Sequence, residues 1–153
     1  MSVFIPEKVP PNLRPQVAQL IAPVDTFCKL HRVQDKQTKK LIPFDPLPMQ
    51  ERIFDAIKAG HNRIAVIKAR QVAATTGAKM VLHHLAYTTP HEAMHALLSM
   101  REDSASALLD DNKRWLDDLP TLLQRPIKTK ARNRIIYGDT GACIKSFTSR
   151  STT

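Results

Sequence analysis

Residues 63–67, Arg-Ile-Ala-Val-Ile, form a short β-branched run, and the polar stretch 68–76, Lys-Ala-Arg-Gln-Val-Ala-Ala-Thr-Thr, follows it directly. A run of this length and character predicts a strand of the kind parallel sheets bury on both faces. Residues 75–87 then repeat Ala78, Val81, Leu82 and Leu85 at helical spacing, which predicts a helix with those residues inward. Buried strand, polar loop and helix leave few folds open. Residues 69–75 are placed to supply N–H donors at a helix N-terminus, where the aligned peptide dipoles favour an anion. The segment therefore points to an α/β chain whose loop is either a phosphate-binding loop or a plain helix start, with Thr75 as cap and Lys68 and Arg70 as surface charges.

The flanking sequence fits that frame. Met49, Ile53, Phe54 and Ile57 recur at helical spacing, and Gly60 suits the helix end. Residues 93–100 are strand-like. Residues 104–119 form an amphipathic helix with Ala105, Leu108, Leu109, Trp115, Leu116 and Leu119 on one face. Residues 134–137, a Gly-Asp-Thr-Gly turn and residues 142–147 predict a hairpin. Eight of the 11 prolines fall in residues 1–48. That density predicts a mostly extended arm over 1–47, with one short helix in 16–30 interrupted by Pro23 and a turn or hairpin at 35–41. Residues 48–153 are then the α/β unit, a parallel sheet with flanking helices.

The loop departs from the common G-x-x-x-x-G-K-[ST] pattern at three of its four fixed positions. It resembles instead the loop of the large terminase subunit of tailed bacteriophages, the motor ATPase that packages viral DNA. Members of that family often open the loop with lysine, any residue, Arg and Gln, and close it with Thr or Ser. Lys68, Arg70, Gln71 and Thr75 match, whereas Ala73 stands where the family usually has Gly. Upstream, Leu41-Ile42-Pro43-Phe44-Asp45-Pro46-Leu47-Pro48-Met49-Gln50 is similar to the family's approach to its ATPase core, in which a glutamine reads the adenine edge. Met100–Ala105 and Ile135–Thr148 resemble later parts of that core.

The resemblance implies an incomplete RecA-like P-loop ATPase core. It also implies a nucleotide site at Gln50, Lys68, Arg70, Gln71, Ala73, Ala74, Thr75 and Thr76, with ATP and Mg²⁺ as cofactors and Thr75 as the Mg²⁺ hydroxyl. Double-stranded DNA, the portal protein and the small terminase subunit are the implied partners, and host cytoplasm, for a phage or prophage protein, the implied location. Hydrolysis in such motors uses a Walker B strand ending in Asp-Glu. The chain has no Asp-Glu dipeptide. The expectation is therefore the front portion of a terminase, truncated before Walker B and without a nuclease domain, inactive as an ATPase by itself.

Composition leaves other classes in play. The net charge is +9, distributed as +6 over residues 1–100, −3 over 101–118 and +6 over 119–153. A basic balance favours polyanions, and Arg125, Lys128, Lys130, Arg132 and Arg134 are candidate DNA-phosphate contacts. A non-enzymatic basic DNA-binding or packaging-accessory protein is the alternative reading, and a helicase fragment a further one. His91-Glu92-Ala93-Met94-His95 matches H-E-x-x-H, which on a helix would hold zinc with glutamate as general base. Pro90 and the strand-like residues that follow argue against a helix there. His83 and His84 are expected on a helix surface. Two cysteines far apart, Cys28 and Cys143, suggest neither a zinc ribbon nor a redox pair. No apolar run reaches the roughly 18 residues that would suggest a membrane span.

Overall fold

The computed structural model describes residues 3–35, 37–61, 63–67 and 73–149, with Glu102 by its backbone alone. Proline sets the first element boundaries. After a 3₁₀ turn at Pro11–Leu13, α1 (Arg14–Ile21) carries Pro15 in its first turn, where the missing N–H is no loss. Pro23 then caps α2 (Val24–Cys28) in an extended conformation. Strands β1 (Arg32–Gln34) and β2 (Leu41–Pro43) pair antiparallel, with Val33 opposite Ile42. Their turn is held by Asp35, whose Oδ1 accepts the Thr38 N–H at 2.6 Å and the Thr38 hydroxyl at 2.8 Å. Those bonds hold the Asp35 carboxyl below its ordinary value. Helix α3 (Pro48–Lys58) starts on Pro48 and ends at Gly60, which takes φ +82.

Helix α4 (Ala74–Thr88) leads to β3 (Met94–Ser99), α5 (Glu102–Asp118), a 3₁₀ turn at Thr121–Leu123, and strands β4 (Ile127–Ala131), β5 (Arg134–Tyr137) and β6 (Cys143–Thr148). The four later strands form one sheet in the order β3-β6-β5-β4. β3 and β6 run parallel, with His95 opposite Ile144; β6–β5 and β5–β4 are antiparallel. The architecture is mixed α/β: a four-stranded mixed sheet with flanking helices. Helices α4 and α5 pack on β3 and β6. They cover the face that carries Leu97, Ile135, Tyr137 and Ile144, all buried. By the alternation of side chains along each strand, Met94, Leu98 and Phe147 point to the other face, where they are exposed. Among the described residues, no helix is long and apolar enough to cross a membrane.

Four local expectations need correction. Residues 63–67 are not a strand: among the described residues no ladder partner engages them, and Ile67 is 97% exposed. A short β-branched run becomes a parallel strand only when neighbours pair with it, and among the described residues β3 pairs with β6 alone. Second, the proline-rich segment is not mostly extended. Residues 11–28 are largely helical, and Val9, Val17, Ile21 and Phe27 join one core with Tyr87, Leu119 and Ile144. Third, residues 127–131, read only as part of a basic stretch, form β4.

Fourth, α4 is turned relative to the expected face. Ala78 is exposed, and Leu82 and Leu85 are half-buried, although Val81 is buried as expected. His83 and His84 are buried instead, against α2. Phe27 explains the turn: its ring lies 5.6 Å from His83, 5.2 Å from His84 and 5.0 Å from Tyr87. An imidazole supplies an aromatic face to such a cluster, and burial of that face outweighs its hydrophilic average. Trp115 is core, as its helical stripe implies, and its Nε1 donates to the Arg32 carbonyl at 2.9 Å.

Candidate functional site

The start of α4 is where the described residues of the expected nucleotide site come together. Ala73 caps the helix in the left-handed region, at φ +55 and ψ +12. An L-residue with a Cβ pays roughly 1 kcal/mol or more for that conformation. The Ala73 carbonyl faces into the helix, where it accepts the Thr76 N–H at 3.0 Å and the Gly77 N–H at 3.2 Å. Ala74 and Thr75 precede the first turn's acceptors, so their N–H groups have no partner within the helix. Ala74 is buried, Thr75 exposed and Thr76 half-buried. Lys68, Arg70 and Gln71 lie outside the described residues.

Gln50 closes the site from α3. It is only 2% exposed. Its Oε1 accepts the Leu47 N–H at 2.9 Å, half of a capping box at the helix start, and its Nε2 donates to the Ala73 carbonyl at 3.0 Å. Gly77 makes the approach possible, since a Cβ there would stand 3.0 Å from Gln50 Cγ. Both ends of the amide that the resemblance assigns to adenine are thus engaged with backbone.

A cleft of about 490 Å³ opens above this junction. The β1–β2 hairpin contributes Val33, Asp35 and Ile42; Phe44 and Asp45 line its middle; Gln50, Ala73 and Thr76 form its floor. It pairs an apolar wall with an exposed carboxylate, Asp45, a combination suited to a flat heteroaromatic ring bearing an N–H donor. In the sequence Asp45 is one aspartate of the proline-rich stretch that leads to Gln50; in the fold both line this cleft. A second cleft of about 450 Å³ runs along the opposite side of α4 and is lined by Ile64, Val66, Ala78, Leu82, Leu97 and Leu98. Lys79, one turn after Thr75, is a cation that pattern reading passed over. Its ammonium is committed to Asp111, which also takes Arg114 at 2.8 Å.

The other candidate sites fare unequally. Arg125 is buried, so it does not face a DNA backbone. Its guanidinium lies between the rings of Phe4, at 3.9 Å, and Tyr137, at 4.1 Å, and pairs with Asp139. It also donates to the Thr140 hydroxyl at 2.6 Å and to the Tyr87 carbonyl. This is a structural clamp. Lys130 pairs with Asp117 at 2.7 Å and Arg132 with Asp103 at 3.3 Å, while Lys128 and Arg134 are exposed. The His91-Glu92-x-x-His95 motif is not helical: residues 91–93 are irregular and His95 lies in β3. An extended backbone does not bring its two imidazoles to one ion. Among the described residues no group of three or more His, Cys, Asp or Glu is arranged to hold a metal.

His31, His83 and His84 are the molecule's unforeseen titratable cluster. His31 is held down to about 4 and His83 and His84 are also lowered, in each case chiefly by burial. His84 Nε2 lies 2.9 Å from the Ile21 carbonyl and His31 Nδ1 3.1 Å from the Phe27 carbonyl, but among the described residues neither ring nitrogen of His83 has a hydrogen-bond partner. No protein-family model matches this chain, and none of the curated proteins compared with it gives a significant match.

Proposed function

We propose that this chain is the nucleotide-binding front part of a DNA-packaging motor ATPase of the terminase large-subunit type, built on an incomplete RecA-like core. One observation supports this reading above the others: Gln50, Ala73 and Thr76 meet on the floor of a base-sized cleft at the start of α4. That helix begins just after Lys68, Arg70 and Gln71 in sequence. In this reading the base enters the cleft under the β1–β2 hairpin. Lys68 and Arg70 neutralise the phosphates, and the Ala74 and Thr75 N–H groups face them. The Thr75 hydroxyl is a ligand for the Mg²⁺ that accompanies ATP. Double-stranded DNA, the portal protein and the small subunit are partners of the assembled motor, which works in the host cytoplasm.

Calorimetric titration with Mg·ATP tests the proposal. Saturable binding is expected, weakened about tenfold or more by Lys68→Ala because a charge-assisted phosphate contact is lost. Absence of saturable binding at millimolar ATP would sink it. Turnover is expected to stay at background, since the chain offers no Asp-Glu pair to polarise water. Robust Lys68-dependent hydrolysis would overturn that part. The basic DNA-binding alternative loses support from the burial of Arg125 and the ion pairs of Lys130 and Arg132.

A further inference from the structure

We infer that Gln50 is a positioning residue for the phosphate end of the site, and that it does not select the base. The inference rests on the nucleotide reading above, but the contact that motivates it stands in the protein without ligand. Three observations converge. The Gln50 amide is buried, with its oxygen on the Leu47 N–H and its nitrogen on the Ala73 carbonyl. Ala73 occupies a left-handed conformation that its own Cβ disfavours. Gly77 leaves the space in which the Gln50 side chain crosses to Ala73, and no larger residue would do so without moving it.

Together these form a latch between α3 and the first turn of α4. The donated bond fixes the Ala73 carbonyl along the helix axis, where Thr76 and Gly77 also reach it. The direction of that carbonyl sets the peptide plane between Ala73 and Ala74. It therefore sets where the Ala74 N–H points, and with it the next amide, Thr75. An amide aimed within a few degrees and tenths of an ångström of a phosphate oxygen is what separates a tight anion site from a bare helix end. A glutamine held in this way keeps one N–H and one lone pair but is only 2% exposed, so it does not present a paired edge to adenine. Base contacts then fall to the hairpin side of the cleft, where Asp45 is exposed.

Two variants and three probes test this in the full chain. Gln50→Glu keeps the oxygen that accepts Leu47 and replaces the donor by an acceptor that repels the Ala73 carbonyl. Gly77→Ala displaces the side chain without touching its chemistry. Mg·ATP, Mg·GTP and inorganic tripolyphosphate are titrated against each, and hydrogen exchange of the Thr76 and Gly77 amides is followed without ligand. Both variants should speed exchange at those two amides by about tenfold, the equivalent of one lost hydrogen bond. Both should weaken all three probes by a similar factor and leave the ATP-to-GTP ratio unchanged. A residue that only supports the fold would lower the thermal midpoint and leave the affinity of the folded fraction intact, which would overturn the inference. Weakening of ATP alone, with tripolyphosphate unaffected, would overturn it in favour of a base reader. Unchanged exchange at Thr76 and Gly77 would overturn it too. Should the unmodified chain bind none of the probes, the nucleotide reading falls, and the exchange result still decides whether the latch exists.

Discussion

The two sides of α4 invert the usual rule of polar outside and apolar inside. Towards α2 the helix buries His83 and His84 among Phe27, His31 and Trp115. Towards the sheet edge it leaves Ala78 exposed and Leu82 half-buried, beside Ile64, Val66 and Leu98 at 39%, 40% and 66% exposure. The difference lies in the neighbours each side has. The α2 side has a packed partner whose aromatic ring accepts imidazole faces. The other side borders a β3 edge that, among the described residues, no strand engages. Hydropathy registers what a side chain prefers, whereas burial registers what the rest of the chain can bring to it.

Breaking the packed side should cost most. Phe27→Ala removes a fully buried ring at the centre of the aromatic cluster, and urea unfolding should show a loss of about 3–5 kcal/mol. A loss under about 1 kcal/mol would mean the cluster collapses into the gap and does not carry this side.

Acid should come next. His31 has an ordinary value of 6.5 and is held to about 4 when folded, so the unfolded chain binds its proton first. Stability is complete above pH 6.5 and is lost as the pH falls from there towards 4. The loss is roughly 3 kcal/mol for His31 alone, with His83 and His84 adding in the same direction. Asp118 beside His31 and Asp25 beside His84 oppose the shift, but burial is the larger influence. Urea midpoints at pH 7 and pH 4.5 measure it, and His83→Leu should flatten the dependence. Equal midpoints at the two pH values would show that the imidazoles find partners when protonated.

At the head of the helix, Ala73→Gly relieves the left-handed strain and should raise stability by about 1 kcal/mol. A decrease would mean that the methyl group contributes packing worth more than the strain. The smallest effect belongs to the open side. Leu98→Ser should change unfolding free energy by less than about 0.5 kcal/mol, while lowering the fluorescence of a dye that binds exposed apolar surface. A large destabilisation there would show the groove to be more closed than its exposure implies.

The elements readable in advance are those whose signals are local. Pro48 and Gly60 bracket α3, Pro23 divides α1 from α2, and Gly141 at φ +76 turns β5 into β6. The stripe through Ala105, Leu109, Trp115 and Leu116 is buried as its spacing requires. What escaped depends on distant partners. Residues 63–67 have strand composition and, among the described residues, no partner strand. Residues 127–131 have basic composition and a partner in β5. Of the residues expected to bind nucleotide, Gln50, Ala73 and Thr76 line one cleft, but sequence position alone could not tell that the Gln50 amide is engaged by Leu47 and Ala73. Arg125 had the same basic signature as Lys128 and was separated from it only by the rings of Phe4 and Tyr137.

The Arg125 clamp carries a consequence for biosynthesis. Phe4 is made some 120 residues before the guanidinium on which its ring rests. At about 5–20 residues per second, that separation is a wait of roughly 6–24 s. Throughout it the segment around Phe4 can meet Ala86 and Tyr87, once they are made, but lacks the Arg125 side of its seat. Chaperone capture of the nascent chain should therefore fall once Arg125 has emerged, and stalled chains carrying C-terminal extensions of increasing length, so that residue 125 clears the exit tunnel in the longest, would show the release as a sharp fall in captured chains.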